Sequence, residues 1–175
     1  SEVSSATAVS QVFLNTNMAA AGGVLAAMFM SLIMTGKMDV TMAINGAIAG
    51  LVSITADPLS PAGGTAVLVG AIGGAIVYFS IVFLENAGVD DPVGAISAHG
   101  TVGIYGVLVV SLTGGASFMG QLIGVLMIAG FTYLASLGTI LVINKLIMPI
   151  RASDAEQEAG LDISEVGIEA YPEFK

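Results

Sequence analysis

The sequence predicts an all-α membrane protein, a polytopic bundle of five transmembrane helices followed by an acidic tail. Hydrophobic residues make up 55% of the 175 residues and charged residues only 10%, whereas soluble domains carry about 25% charged residues. The mean hydropathy is +0.94. Residues 92–144 contain no Asp, Glu, Lys or Arg. A soluble fold could not cover its surface with so few charges.

Five apolar stretches are each long enough to cross a bilayer, which requires about 20 mostly apolar residues in a helix. They do not alternate polar with apolar residues and are about twice as long as barrel strands, so helices are favoured. We predict spans at about residues 13–35, 40–56, 63–84, 93–112 and 117–148, between an extracytoplasmic lead-in at 1–12 and an acidic tail at 149–175.

Each stretch ends at a sequence that interrupts an apolar helix. The interruptions are Gly36-Lys37-Met38-Asp39, the proline-rich loop at 57–61, the acidic loop at 85–92, the turn at 113–115 and Pro149. The fifth stretch is longer than the bilayer requires, so it tilts or projects beyond it.

The few basic residues predict the orientation. Lys37 follows the first span, and Lys145 and Arg151 lie at the end of the fifth. Four crossings separate these points, so all three bases fall on one side, which the positive-inside rule makes the cytoplasm. We therefore expect a cell (plasma or inner) membrane protein with a cytoplasmic carboxyl terminus.

Charge and composition exclude several classes of function. The 13 acidic and 4 basic residues give a net charge of −9, which argues against nucleic acid as a partner. With no Cys and one His, neither a disulfide framework nor a closed zinc site can form. No nucleophile–base pair is recognisable, so we expect no enzyme, no cofactor and no metal.

Glycine spacing predicts close packing between helices. The chain has 23 Gly, and small residues four apart let helix backbones approach closely in lipid. The pairs with this spacing are Gly46 and Gly50, Gly70 and Gly74, and Gly120 and Gly124.

His99 is the most informative polar residue, because ionisable groups within a span are costly and mark pathways or partners. It lies within the fourth span, between small residues. The sequence leaves two interpretations open: a group that relays a proton or accepts a hydrogen bond from a small amine, or a neutral imidazole bonded to a neighbouring helix. Asp90 and Asp91 precede Pro92 and indicate a helix-entry cap.

Several segments resemble the ammonium transporter family (Amt/MEP, related to Rhesus proteins). Residues 89–106, which begin VDDPVGAISAHG, resemble the family's signature. Residues 13–21 (FLNTNMAAA) and 46–55 (GAIAGLVSIT) are similar to its seventh and eighth helices. Residues 158–165 and 169–171 resemble its cytoplasmic tail. The likeness is collinear over nearly the whole chain.

The resemblance implies helices seven to eleven of an eleven-helix protomer that conducts ammonium through a narrow apolar pore and assembles as a homotrimer. His99 matches one of two pore histidines, and Thr55 matches a residue near an outer recruitment site. We expect Asn45, a polar residue within the second span, to line the same pore; for Asn45 and Thr55 the alternative is a hydrogen bond between helices. The tail residues Gly160, Leu161, Asp162 and Tyr171 match the part that receives regulation, including a PII-type protein at the cytoplasmic pore mouth.

The family's amino-terminal half is not in this chain, and its fold is an inverted repeat around the pore. We therefore expect the missing half in a longer form of the same chain or in a second polypeptide. Gly94 stands where some members carry Asp, and Val166 where the tail often has His. Two other functions stay open: a sensor or structural membrane subunit that signals through its tail, and conduction of carbon dioxide, as proposed for Rhesus relatives.

Overall fold

The computed structural model of the protein describes residues 2–169 and 171–173. Ser1 of the predicted lead-in lies outside the described residues, as do Ala170 and residues 174–175 of the predicted tail. The chain divides into two compact units, residues 1–126 and 127–175.

All the regular structure in the described residues is helical. The α-helices are α1 (Glu2–Thr35), α2 (Val40–Thr55), α3 (Gly63–Asn86), α4 (Val102–Thr113), α5 (Phe118–Val142) and α6 (Asp154–Ala159). Wider π-helical segments lie at Ile96–Thr101, before α4, at Ile143–Ile147, after α5, and at Asp162–Val166.

Four helical stretches are long and apolar enough to cross a membrane: Val3–Thr35, Gly63–Asn86, Ile96–Thr113 and Phe118–Ile147. The fifth apolar helix, α2, has 16 residues and is therefore only about 24 Å long. Residues 2–12 of the predicted lead-in form the first part of α1. These helices establish the predicted all-α membrane bundle.

Local capping explains where α2 begins. Gly36 has a φ of +76°, which an L side chain disfavours, so α1 ends there. The Asp39 carboxylate then accepts hydrogen bonds from the backbone N–H groups of Thr41 (2.6 Å) and Met42 (3.2 Å). Such a cap satisfies amides that a helix start leaves without partners.

In the first unit, α1, α2 and α3 pack through glycines. Ala27 lies near Gly46 and Ala19 near Gly50, so α1 and α2 are antiparallel. A Cβ on Gly23 would overlap the backbone of Gly46, and one on Gly70 would overlap the backbone of Ala19. We call these contacts the glycine seam. Two of the three predicted glycine pairs lie in it.

The third predicted pair makes no comparable contact. Among the described residues, a Cβ on Gly124 would meet no atom within 4 Å, and one on Gly120 would meet only Ser117 in the preceding turn. The expectation of close helix packing at this pair is therefore wrong within the described residues. The four-residue spacing alone does not distinguish a packed glycine from an open one.

Helix α4 lies beside α2 and runs parallel to it. Gly94, Gly106 and Gly114 along the chain approach Asn45, Ser53 and Asp57 in the same order. A buried cluster joins α2 and α3 to the segment before α4; its members are Ala49, Val77, Ile81, Ala98 and Val102.

Asn15 fastens the loop between α2 and α3 to α1. Its side chain is fully buried, and its amide donates to the carbonyls of Pro58 (2.9 Å) and Pro61 (2.7 Å). Its carbonyl oxygen accepts from Gln11 (3.1 Å). The loop that follows Thr55 therefore has a fixed position.

The second unit contains the end of α5 and the acidic tail. Ser153 and Glu156 form a capping box at the start of α6. The Ser153 hydroxyl and backbone N–H donate to the Glu156 carboxylate, at 2.6 and 2.8 Å, and these bonds hold the pKa of Glu156 below its usual value.

Candidate functional site: His99 and the ends of α2

The π-helical segment Ile96–Thr101 presents His99 on an open side of the first unit. The preceding residues, Ser97 and Ala98, are buried at 0% and 1% exposure, whereas His99 is exposed. No described residue makes a hydrogen bond to its imidazole. Within this part of the chain, both ring nitrogens are therefore available to an outside group.

Hydrogen bonds hold the start of this segment. The Asp91 carboxylate is 9% exposed and accepts from the backbone N–H groups of Ile96 (2.9 Å) and Ser97 (3.1 Å). Burial opposes the charged form, but these donors outweigh it and lower the pKa of Asp91. The adjacent Asp90 is exposed. Asp91 thus fixes the turn from which His99 projects.

Asn45 on α2 lies next to Gly94, which precedes the same segment. It is 4% exposed, and its amide donates to the Thr41 carbonyl at 3.2 Å. Gly94 has a φ of +71°, and a Cβ there would lie 2.7 Å from the Asn45 Oδ1. The positive φ favours glycine here, and a Cβ would in addition displace the Asn45 side-chain amide.

Thr55 lies at the opposite end of α2. It is exposed, and its hydroxyl donates to the Leu51 carbonyl at 2.6 Å. Ten residues separate it from Asn45, which corresponds to about 15 Å along the helix. The structure therefore does not bring the three pore candidates into one cluster. It distributes them along α2 and the neighbouring segment, with Asn45 and Thr55 near opposite ends.

The tail residues singled out in the sequence lie in the second unit. Gly160 ends α6 with a φ of +98°. Leu161 and Tyr171 are exposed, and Asp162 is half-buried at the start of the last π-helical turn.

Sequence reasoning missed a hydroxyl pair beside the segment that carries His99. The Ser80 hydroxyl on α3 donates to the Thr101 hydroxyl at 2.9 Å. The pair borders an apolar groove of about 560 Å³ lined mainly by α3, including Ile76, Phe79 and Phe83. Only the tertiary packing brings residues 21 apart together, so no local pattern could have revealed the pair.

No group of three or more His, Cys, Asp or Glu side chains within the described residues could hold a metal ion. The arrangement instead offers a single imidazole on an apolar helix face.

Comparison with known proteins identifies the family. Residues 1–171 match the model of the Ammonium Transporter Family. The chain is 36% identical to ammonium transporter Amt2 of Archaeoglobus fulgidus over 95% of this chain and 40% of that protein. It is 31% identical to the ammonium transporter of Bacillus subtilis, over 91% of this chain and 43% of that protein. The chain thus spans about 40% of the length of these relatives.

Solved structures have the same fold. A chain described as "Sensor Amt Protein" superposes with a TM-score of 0.83 and 28% identity, over 90% of this chain and 42% of that one. Mep2 of Candida albicans superposes with a TM-score of 0.75 and 24% identity, over 83% of this chain and 37% of that one. Together with the apolar helices, these matches establish a multi-pass membrane protein. The chain belongs to the ammonium transporter family.

Proposed function

We propose that the protein containing these residues conducts ammonium or ammonia across a cell membrane through a narrow apolar pore, and that His99 lines this pore. The observation that carries the proposal is the exposed imidazole of His99, with no partner among the described residues, on a bundle that matches ammonium transporters. An ionisable group left uncovered within a membrane span is expected to face a cavity or a partner.

The chemistry of the segment fits a substrate that crosses as a neutral amine. Moving an ion from water into an apolar pore costs far more than moving neutral ammonia. A neutral imidazole accepts a hydrogen bond at one nitrogen and donates at the other. His99 can therefore bind the deprotonated substrate or pass on its proton.

The remaining parts of the proposal follow from the resemblance and the charge pattern. An amino-terminal half, in the same chain or in a second polypeptide, closes the pore opposite His99. Thr55 lies at the outer mouth and Asn45 near the inner one, with the tail in the cytoplasm. The assembled protein is a homotrimer, and Gly160, Leu161, Asp162 and Tyr171 receive a PII-type regulator.

Uptake of methylammonium by the intact protein tests the role of His99. In cells that lack other ammonium transporters, His99→Asp should abolish or strongly alter uptake, because a carboxylate replaces a group that can be neutral. Ser111→Ala is a matched control on α4, since among the described residues the Ser111 hydroxyl bonds only the Leu108 carbonyl of its own helix. Unchanged uptake by the His99 variant, at equal amounts in the membrane, would remove His99 from the mechanism.

A second candidate function is ammonium sensing without net transport. It is favoured by the similarity to the chain described as "Sensor Amt Protein" and by the seven acidic residues that follow Arg151 in the tail. The two functions separate in cells on low ammonium. A sensor would not restore growth, and deleting residues 152–175 would change nitrogen signalling; a transporter would restore growth.

A further inference from the structure

Asp57 lies where the carboxyl-terminal ends of two helices converge. It follows the last residue of α2, Thr55, by two positions. On the other side it faces Gly114, the residue that ends α4, so closely that a Cβ on this glycine would overlap the Asp57 Oδ2. The last carbonyls of a helix carry partial negative charge. A carboxylate is therefore held against two negative helix ends.

Within the first unit, no basic residue is positioned to compensate this charge. The only Lys or Arg in residues 1–126 is Lys37, which precedes the start of α2 and thus lies beyond its other end. Both hydrogen bonds of the Asp57 carboxylate come from Ser60, from the backbone N–H (3.1 Å) and the hydroxyl (2.9 Å). These neutral donors leave the net charge in place.

We propose that Asp57 is a specificity-determining residue that attracts small cations to the end of the bundle where Thr55 lies. The proposal rests on the proposed function, because it assigns Asp57 a part in selecting the substrate. A cation with N–H donors, such as ammonium or methylammonium, would relieve the repulsion between the carboxylate and the two helix ends. Anions would be repelled from the same place.

The hydrogen bonds to Ser60 also give Asp57 a local structural role, which must be separated from its charge. They form a turn in which the Asp side chain bonds the backbone three residues on, and Asn supports such turns as well. The turn requires a side-chain oxygen that accepts these hydrogen bonds, and it does not require a negative charge. Asp57→Asn therefore retains the loop and removes only the charge, whereas Asp57→Ala removes both.

The experiment is methylammonium uptake by the intact protein in proteoliposomes, with KM and Vmax measured separately. At about 10 mM ionic strength the Debye length is about 30 Å, so the charge acts over the whole mouth. Asp57→Asn should raise KM about two- to tenfold with Vmax unchanged. The increase should largely vanish near 1 M salt, where the Debye length is about 3 Å.

Two variants serve as controls for this measurement. Glu85→Gln removes a carboxylate from the last turn of α3, at the other end of that helix from the Asp57 loop, and should leave KM unchanged. Ser60→Ala removes a hydroxyl partner but keeps the charge, and should also keep the wild-type KM. A wild-type KM in Asp57→Asn would overturn the proposal. If uptake were then impaired in Asp57→Ala, the role of Asp57 would be to form the loop.

A binding measurement separates failure of this inference from failure of the proposed function. If the intact wild-type protein takes up no methylammonium, transport is refuted, but calorimetric titration with methylammonium chloride at low ionic strength still tests Asp57. Binding that weakens in Asp57→Asn and not in Glu85→Gln would support the cation site. Equal binding by all three proteins, or none, would overturn it.

Discussion

The glycine seam and the open side of the first unit are both rich in apolar residues, but those of the seam are buried and those of the open side are exposed. In the seam, backbones of α1, α2 and α3 approach so closely that Gly23 and Gly70 have no room for a Cβ. We call the exposed residues of α2 and of the segment before α4 the open side: Ile44, Leu51 and Thr55 recur along α2 at helical spacing, and His99 lies on the segment before α4.

The difference shows which residues of the first unit are buried by the unit's own helices and which are left uncovered. The seam buries its small residues within the unit, so substitutions there should act on stability. The open side presents an ionisable group and apolar side chains that nothing in the unit covers. We expect substitutions there to affect stability little and transport strongly.

The largest expected effect on stability comes from adding one methyl group to the seam. In Gly70→Ala the new Cβ would overlap the Ala19 backbone, which cannot move without displacing α1. Overpacking of a tightly packed core costs about 1–3 kcal/mol and occasionally more, so we expect a loss of about 3 kcal/mol in the free energy of unfolding. Denaturation by sodium dodecyl sulfate in mixed micelles measures it. A change below about 0.5 kcal/mol would show that the helices are not in contact there.

A smaller effect on stability is expected at the turn held by Asp91, between α3 and the segment that carries His99. Asp91→Ala removes the acceptor for two helix-entry amides, and loss of such a cap costs about 1 kcal/mol. The neighbouring Asp90→Ala is the control, because Asp90 is exposed. A thermal unfolding series of both variants and the wild type measures this difference.

The same series has a defined pH dependence. The pKa of Asp91 in the folded protein lies below its ordinary value of 3.8, so its negative charge stabilises the fold above that pH. The stabilisation is lost as the pH falls through the lowered pKa. The advantage of the wild type over Asp91→Ala should therefore be constant from pH 7 to about 5 and shrink towards pH 3. An advantage that grows on acidification would mean that the charged carboxylate is not the stabilising form.

The smallest effect on the free energy of unfolding is expected at Gly124. This glycine has the four-residue spacing of the seam glycines but not their close contacts. A Cβ there meets no described atom within 4 Å, and Ala is the better helix former by about 1 kcal/mol. Gly124→Ala should therefore leave the free energy of unfolding unchanged or raise it slightly in the same micelle titration. A loss as large as that of Gly70→Ala would reveal a tight contact at Gly124 that the described residues do not show.

Composition and spacing predicted the helical membrane bundle and the first two glycine pairs, because long apolar runs and burial of small residues leave clear signals in sequence. They could not separate Gly124 from Gly70, since neighbours and not spacing decide whether a glycine is packed. The resemblance to the family supplied the roles assigned to His99 and Thr55, which composition alone left open.

Other features depend on contacts between distant residues. The π-helical segment around His99 has no distinct periodicity in six residues, and its start is held by a carboxylate five and six positions earlier. The clamp from Asn15 to the loop at 57–61 joins residues more than 40 apart. The position of Asp57 between two helix ends likewise emerges only once α2 and α4 lie side by side.

The central claim is that the open side carrying His99 faces a pore that other residues complete. Native mass spectrometry of the complex purified from its own membrane tests this most directly. We predict either a chain much heavier than 17.5 kDa or a chain of that mass bound to a second membrane polypeptide. A 17.5 kDa chain without any membrane partner would contradict the account, because half of the inverted repeat cannot enclose a pore.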